Sequence, residues 1–248
     1  MSIKQNVARA KTDYDEVYNA GKKAEYDAFW DIYQNYGNRS VFIRAFAGYG
    51  FSFDNFYPKY DIRPTDSADT IFYFWDGRGG SNHNGSLIDR LNECGVVLDT
   101  SQCISMTQAF TYSRFTEIPT VDFTALTRAC SQIFYDSRAL KKIEKIIVRD
   151  NTTYNNWFTY AKFLEEIRVE GVIGNDINFQ DCPLTVESMI DIITHLKKYI
   201  ETDTEDAWTR TIYFNDDCWA RLEASGISTP NGDPSWKGYV NDALKWNI

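Results

Sequence analysis

The chain has 248 residues, 43% of them hydrophobic, enough for one sizeable core or for a repeat body with a cap at each end. Its 35 acidic residues against 26 basic ones give a formal net charge of −9, which disfavours nucleic acid and anionic lipid as partners. No run approaches the roughly 18 apolar residues of a membrane span, and MSIKQNVARAKTDYDE lacks a secretory apolar run, so cytoplasmic synthesis without membrane insertion is expected.

In chain order, the first expected unit is a helix within residues 1–36. Tyr14, Val17, Tyr18 and Gly21 follow helical spacing, and so do Tyr26, Phe29, Trp30 and Tyr33. The second stripe starts twelve residues after the first and is rotated by roughly a third of a turn, which argues against a plain heptad seam. Two readings stand: a cap helix packed on its own domain, or a projecting segment in which Tyr14, Val17 and Tyr18 assemble a homo-oligomer. Residues 37–66 form an aromatic- and Gly/Pro-rich connection, in which Pro58 and Pro64 favour turns and short extended pieces.

Residues 67–183 carry a repeat. Phe110, Phe134 and Phe158 stand 24 residues apart, each followed by a bulky apolar residue and then an isoleucine: Phe115 and Ile118, Leu140 and Ile143, Leu164 and Ile167. Met106, Cys130 and Tyr154 precede the phenylalanines by four, and the β-prone runs PTVDF, EKIIV and RVEGVI follow the isoleucines. Fainter units surround Phe72, Leu87 and Leu91 on one side and Phe179, Cys182 and Leu184 on the other. A fixed period of this size marks stacked units that bury their apolar edges against one another. The Gly-rich stretch 77–85 invites a phosphate-binding reading, but Ser86 directly follows Gly85 where the phosphate loop needs lysine, so it is read as an insertion.

Residues 184–248 close the chain. A helix is expected from Leu184 to Ile200, with Thr185 as N-cap, Glu187 in the first turn and Lys197 and Lys198 in the last. A small β-rich cap follows, from the strand-like AWTRTIYF to the turn signals Asn231-Gly232 and Asp233-Pro234.

No reaction centre emerges. Acidic clusters at Asp203, Glu205 and Asp206, at Asp216 and Asp217, and at Glu165, Glu166 and Glu170 are those of a solvated acidic face. His83 and His195 lack the context of a nucleophile's base, and five scattered cysteines without C-x-x-C spacing read as reduced and mostly buried. No catalytic residue, metal site or cofactor is expected. The repeat turns are more suggestive: Tyr112, Tyr135 and Tyr160, with Arg114, Arg138 and Lys162 just after, would stack into a column about 5 Å per rung. Such a column either binds a sugar or protein partner or only covers the core with its hydroxyls in water.

The phrases GKKAEYDAFWDIYQNYGNRSVFIRAFAG, FYPKYDI, EGVIGNDINFQDCPLTVESMIDIITHL and SWKGYVNDALKWNI, in this order, resemble the BspA-like leucine-rich-repeat proteins of prophages and phages of gut Firmicutes. The resemblance covers nearly the whole chain from about residue 14, and departs from the family in the Gly-rich insertion and in having only three well-formed repeats. It implies an α+β fold: a short β-solenoid with an N-terminal cap helix, a C-terminal helix and a small β-rich cap. It further implies a non-enzymatic, phage tail-associated adhesin or receptor-binding component. Such a protein would reside in the virion, contact other tail proteins and recognise a bacterial surface glycan or protein. A bacterial cell-envelope adhesin and a carbohydrate-active enzyme are the alternatives.

Overall fold

A computed structural model describes residues 24, 27, 28, 30–35, 56–73, 85–199 and 210–248. Its centre is a file of phenylalanines. Phe72, Phe110, Phe134, Phe158 and Phe179 are all buried, and successive rings lie 5.2, 5.4, 5.5 and 4.5 Å apart at interplanar angles of 14 to 26°. Offset stacks of this kind add to the apolar area each ring removes from water. The file runs on through Phe214, 6.0 Å from Phe179, to Trp219. At its other end Phe56 and Trp30 continue it, and Trp30 and Tyr33 are the buried face of the helical residues 30–34. Tyr14, Val17 and Tyr18 lie outside the described residues.

The backbone around Phe110, Phe134 and Phe158 is the same from unit to unit. Thr70, Gln108, Gln132 and Asn156, each two residues before a phenylalanine, have φ of 54 to 58°, and Tyr112, Asp136 and Tyr160, each two residues after, have φ of 51 to 61°. A left-handed conformation is costly for such side chains. It is held by a ladder between turns: the amides of Gln108, Phe110 and Tyr112 donate to Ser131, Ile133 and Tyr135 O at 3.0, 2.8 and 3.0 Å, and those of Gln132, Phe134 and Asp136 donate to Asn155, Trp157 and Thr159 O at 2.9, 3.0 and 2.9 Å. The paired left-handed residues bracket Phe110, Phe134 and Phe158 and turn their rings inward.

Beyond the turns the chain forms parallel strands. β1 (Gly85–Ser86) leads into helix α1 (Leu87–Cys94); β2 (Phe115–Ile118), β3 (Val121–Asp122), β4 (Lys142–Val148) and β5 (Glu166–Gly171) complete the sheet. β2 and β3 pair with successive parts of β4, interrupted by Pro119, and β5 pairs with β4 as well. Ile118, Ile143 and Ile167 stand in one register row, each buried. A second, two-stranded parallel sheet joins β6 (Ile177–Phe179) to β7 (Ile212–Phe214).

The sheet ends at a helix rather than at another strand. Thr185 caps α2 (Val186–Thr194), as expected, by accepting from the Ser188 amide. Ser188 Oγ and Asp191 Oδ2 of α2 then accept the outward amides of Ile167 and Val169 on β5 at 3.0 and 2.6 Å, so the edge is closed by side chains. Lys197 and Lys198 fall beyond the end of the helix, because α2 stops at His195 and Leu196 bridges to Ile173 instead.

These features correct two expectations. The predicted α+β β-solenoid gives way to an α/β arrangement, a mostly parallel curled sheet with few helices. The phenylalanine spacings are 38, 24, 24, 21 and 35 residues from Phe72 to Phe214, so the constant period that a solenoid needs holds for three units only. On either side of them α1 and α2 take up chain that a repeating coil would spend on strands. The predicted β-rich C-terminal cap is largely helical: β7 is followed by α3 (Asp216–Ala224), α4 (Trp236–Gly238) and a π-turn over Tyr239–Ala243. Asn215 starts α3 by accepting from Cys218 N, and Glu223 of α3 accepts the amides of Trp236 and Lys237 at the start of α4.

All five cysteines are free, with Cys103, Cys130, Cys182 and Cys218 buried. Burial pushes the Cys103 thiol up to about 12 from 9.0, with the carboxylates of Asp99, Asp69, Asp122 and Asp66 adding to it. The folded state favours the neutral thiol, so this contribution is whole below pH 9.0 and is lost as pH rises towards about 12. Denaturant titrations should show stability falling above pH 9.0, with the fall shallower in Cys103→Ala; equal slopes for the two proteins would place that thiol in water.

Candidate functional site

The repeat turns bring four tyrosines into one row. Tyr73 meets Tyr112 at 5.8 Å, Tyr112 meets Tyr135 at 5.8 Å and Tyr135 meets Tyr160 at 5.5 Å, with interplanar angles of 75 to 89°. Edge-to-face contacts satisfy the ring quadrupoles along the row. Tyr73, Tyr112 and Tyr135 are half-buried, while Tyr160 at the end of the row is 45% exposed. The backbone explains that end. The Tyr112 amide donates to the next turn, whereas the Tyr160 amide donates to Asp181 Oδ2 at 2.8 Å, so among the described residues no further turn covers the Tyr160 ring.

The three cations expected beside the row behave differently. Arg138 is held by Asp136, Nε to Oδ1 at 2.6 Å and Nη2 to Oδ2 at 3.0 Å, a two-pronged pair that raises the guanidinium pKa. Lys162 lies 5.8 Å from the Tyr160 ring centroid, within reach of a cation–π contact. Arg114 is exposed. Burial raises the Tyr135 phenol, with Tyr112, Tyr160 and Asp136 adding to the shift, and burial likewise raises Tyr73. Tyr73 and Tyr135 therefore hold their protons, and their hydroxyls donate and accept beside cations that only donate.

Two members were missed. Tyr73 stands one residue after Phe72, the offset of Tyr135 after Phe134, so the Phe-Tyr dipeptide was a usable signal. Phe163 is 53% exposed next to Lys162, and nothing in the sequence distinguishes it from a core ring. Tyr160, Lys162 and Phe163 form an exposed aromatic and cationic corner, suited to stacking on an apolar sugar face or seating a protein side chain.

The carboxylates weighed for chemistry are placed elsewhere. Glu166 and Glu170 on β5 pair with Lys142 and Lys145 at 3.9 and 2.8 Å on the exposed sheet surface. Asp216 and Asp217 occupy the first turn of α3, where they complement the helix dipole. His195 Nδ1 donates to Asp191 O at 2.7 Å. Asp203, Glu205, Asp206, His83 and residues 77–84 lie outside the described residues. Among the described residues no three His, Cys, Asp or Glu side chains gather as a metal site would require. Comparison with protein-family models, with curated proteins and with solved structures returned no match.

Proposed function

We propose that this chain is a non-enzymatic binding protein whose tyrosine-lined turns recognise a glycan or protein on a bacterial surface, as a phage tail-associated adhesin or receptor-binding component. The observation that carries the binding part is the uncovered end of the row, where Tyr160 and Phe163 expose 45% and 53% of their surfaces beside Lys162. Large aromatics left in water next to a cation are the anchors from which interfaces are built. The tail-associated part rests on the sequence resemblance alone.

The test is binding of the purified protein to bacterial envelope polysaccharide and to a glycan array. Tyr160→Ala with Phe163→Ala should bind about tenfold more weakly or worse, since each anchor is worth roughly 1–2 kcal/mol. The melting temperature should barely move, because both rings are already exposed. Unaltered binding in the double variant refutes the role of this corner, and absence of the protein from purified virions refutes the tail assignment.

A further inference from the structure

The turn segments 110–114, 134–138 and 158–162 read FTYSR, FYDSR and FTYAK, so each ends on a cation four residues after its phenylalanine. The residue before that cation is Ser113, Ser137 or Ala161. All three are fully buried, their amides donate to the phenylalanine carbonyls at 3.1, 3.4 and 3.1 Å, and Ser113 Oγ lies 3.4 Å from Ser137 Oγ. With that residue fixed inward at the same place in each turn, Arg114, Arg138 and Lys162 all come out into water. Each unit therefore contributes one tyrosine of the row and one cation beside it, and the row advances by 5.8 and 5.5 Å from Tyr112 to Tyr135 to Tyr160. That step is about the length of one pyranose in an extended chain.

The charge of these turns is opposite to that of the chain. Against 35 acidic and 26 basic residues overall, the three segments hold three cations and one carboxylate, Asp136. Asp136 is buried and takes Nε and Nη2 of Arg138, whose Nη1 is bonded to no described residue and belongs to a side chain 78% exposed. Arg114 and Lys162 make no ion pair with a described residue. Solubility alone would be served by the acidic residues that prevail elsewhere, and it gives no reason for a cation at the same offset in every unit.

We propose that the ligand of the tyrosine row is a linear acidic glycan with an anionic group on successive sugars, lying along the row so that each turn meets one sugar. The inference rests on the row being the binding surface, and adds the class and direction of what it binds. The sugars lie against the tyrosines, most fully at the exposed rings of Tyr160 and Phe163, and their anionic groups meet Arg114, Arg138 and Lys162.

Calorimetry on the full chain at low salt tests this, with oligogalacturonates from monomer to hexamer as probes and cello-oligosaccharides of the same lengths as neutral controls. Affinity for the acidic series should rise with each added sugar until the chain spans the row and then level off, and the neutral series should bind at least about tenfold more weakly. Arg114→Gln with Lys162→Gln should weaken the acidic series about tenfold through loss of two charge-assisted contacts. The melting temperature should stay in place, because both side chains are exposed. No binding of the acidic series, equal binding of the neutral one, no gain with length, or unchanged affinity in the variant overturns the proposal. A neutral glycan or a protease-sensitive envelope component bound through Tyr160 and Phe163 also overturns it, and leaves the binding role of that corner standing.

Discussion

Phe134→Ala is expected to lower stability by about 3–5 kcal/mol, the range for removing a fully buried ring and leaving its cavity. Phe134 is 0% exposed and lies 5.4 Å from Phe110 and 5.5 Å from Phe158, with Phe123 edge-on at 6.4 Å. Its loss takes both stacking partners from their neighbour at once, and neither can shift to fill the gap. The Gln108–Gln132 side-chain bond, 2.9 Å, and the amide ladder hold the turns at their present spacing. A loss of that size is a large part of the roughly 5–15 kcal/mol that keeps a domain folded, and should lower the melting temperature by roughly 6–20 °C. Tyr135→Ala, one residue on and half-buried, is the matched comparison and should cost clearly less. If Phe134→Ala costs under about 1 kcal/mol, the phenylalanine file does not form the core.

The part of the fold that was legible in the sequence is the part whose spacing is constant. Phe110, Phe134 and Phe158 recur every 24 residues, and all three are buried and stacked. The fainter units at Phe72 and Phe179, off the period, join the same file, whereas Phe214 joins it by proximity in space alone. How the sheet ends was not legible. Ser188 and Asp191 read as ordinary polar positions of an amphipathic helix, and their use as acceptors for the β5 amides depends on where α2 docks. The early stop of α2 has the same origin, since the Ile173–Leu196 bridge outweighs the helical stripe that runs on to Ile200.

Helix α3 is a different case, because its signal was present. Asn215-Asp216-Asp217 is a capping sequence, and Cys218, Trp219 and Leu222 make a buried stripe over nine residues. The strand-like AWTRTIYF before it and the turn signals Asn231-Gly232 and Asp233-Pro234 after it favour strands over a helix in this region. For the candidate site, the stacking of Tyr112, Tyr135 and Tyr160 was legible, and the place of Tyr73 at the head of the row was not. The row uses the second residue after Phe110 and Phe158 but the first after Phe134, where the buried Asp136 takes the second position and holds Arg138. The backbone at that position is the same in all three units, φ 57, 51 and 61° at Tyr112, Asp136 and Tyr160, so the residue type and not the backbone decides which side chain joins the row.

Gly171→Ala should cost at least about 3 kcal/mol, through strain and overpacking together. Gly171 has φ of 98°, a conformation that side chains with a Cβ rarely adopt, and it faces Val148 in the β4–β5 register. A Cβ built there would lie 1.9 Å from Val148 O and 3.0 Å from its carbonyl carbon, both backbone atoms that no rotamer change can move. Relief requires the end of β5 to swing away from β4. That motion is opposed immediately downstream, where the Ile173 amide donates to His195 O and Ile173 O accepts from the Lys197 amide, both at 2.8 Å. The strain therefore reaches the exit of α2 as well as the sheet, and the melting temperature should fall by roughly 6–12 °C. Gly95→Ala is the control: φ is also positive there, 65°, but no atom of the described residues lies within 4 Å of the added carbon, so only the backbone cost of about 1 kcal/mol applies. Equal losses in the two variants would mean that β4 and β5 do not approach at Gly171, and the curl of the sheet there would have to be redrawn.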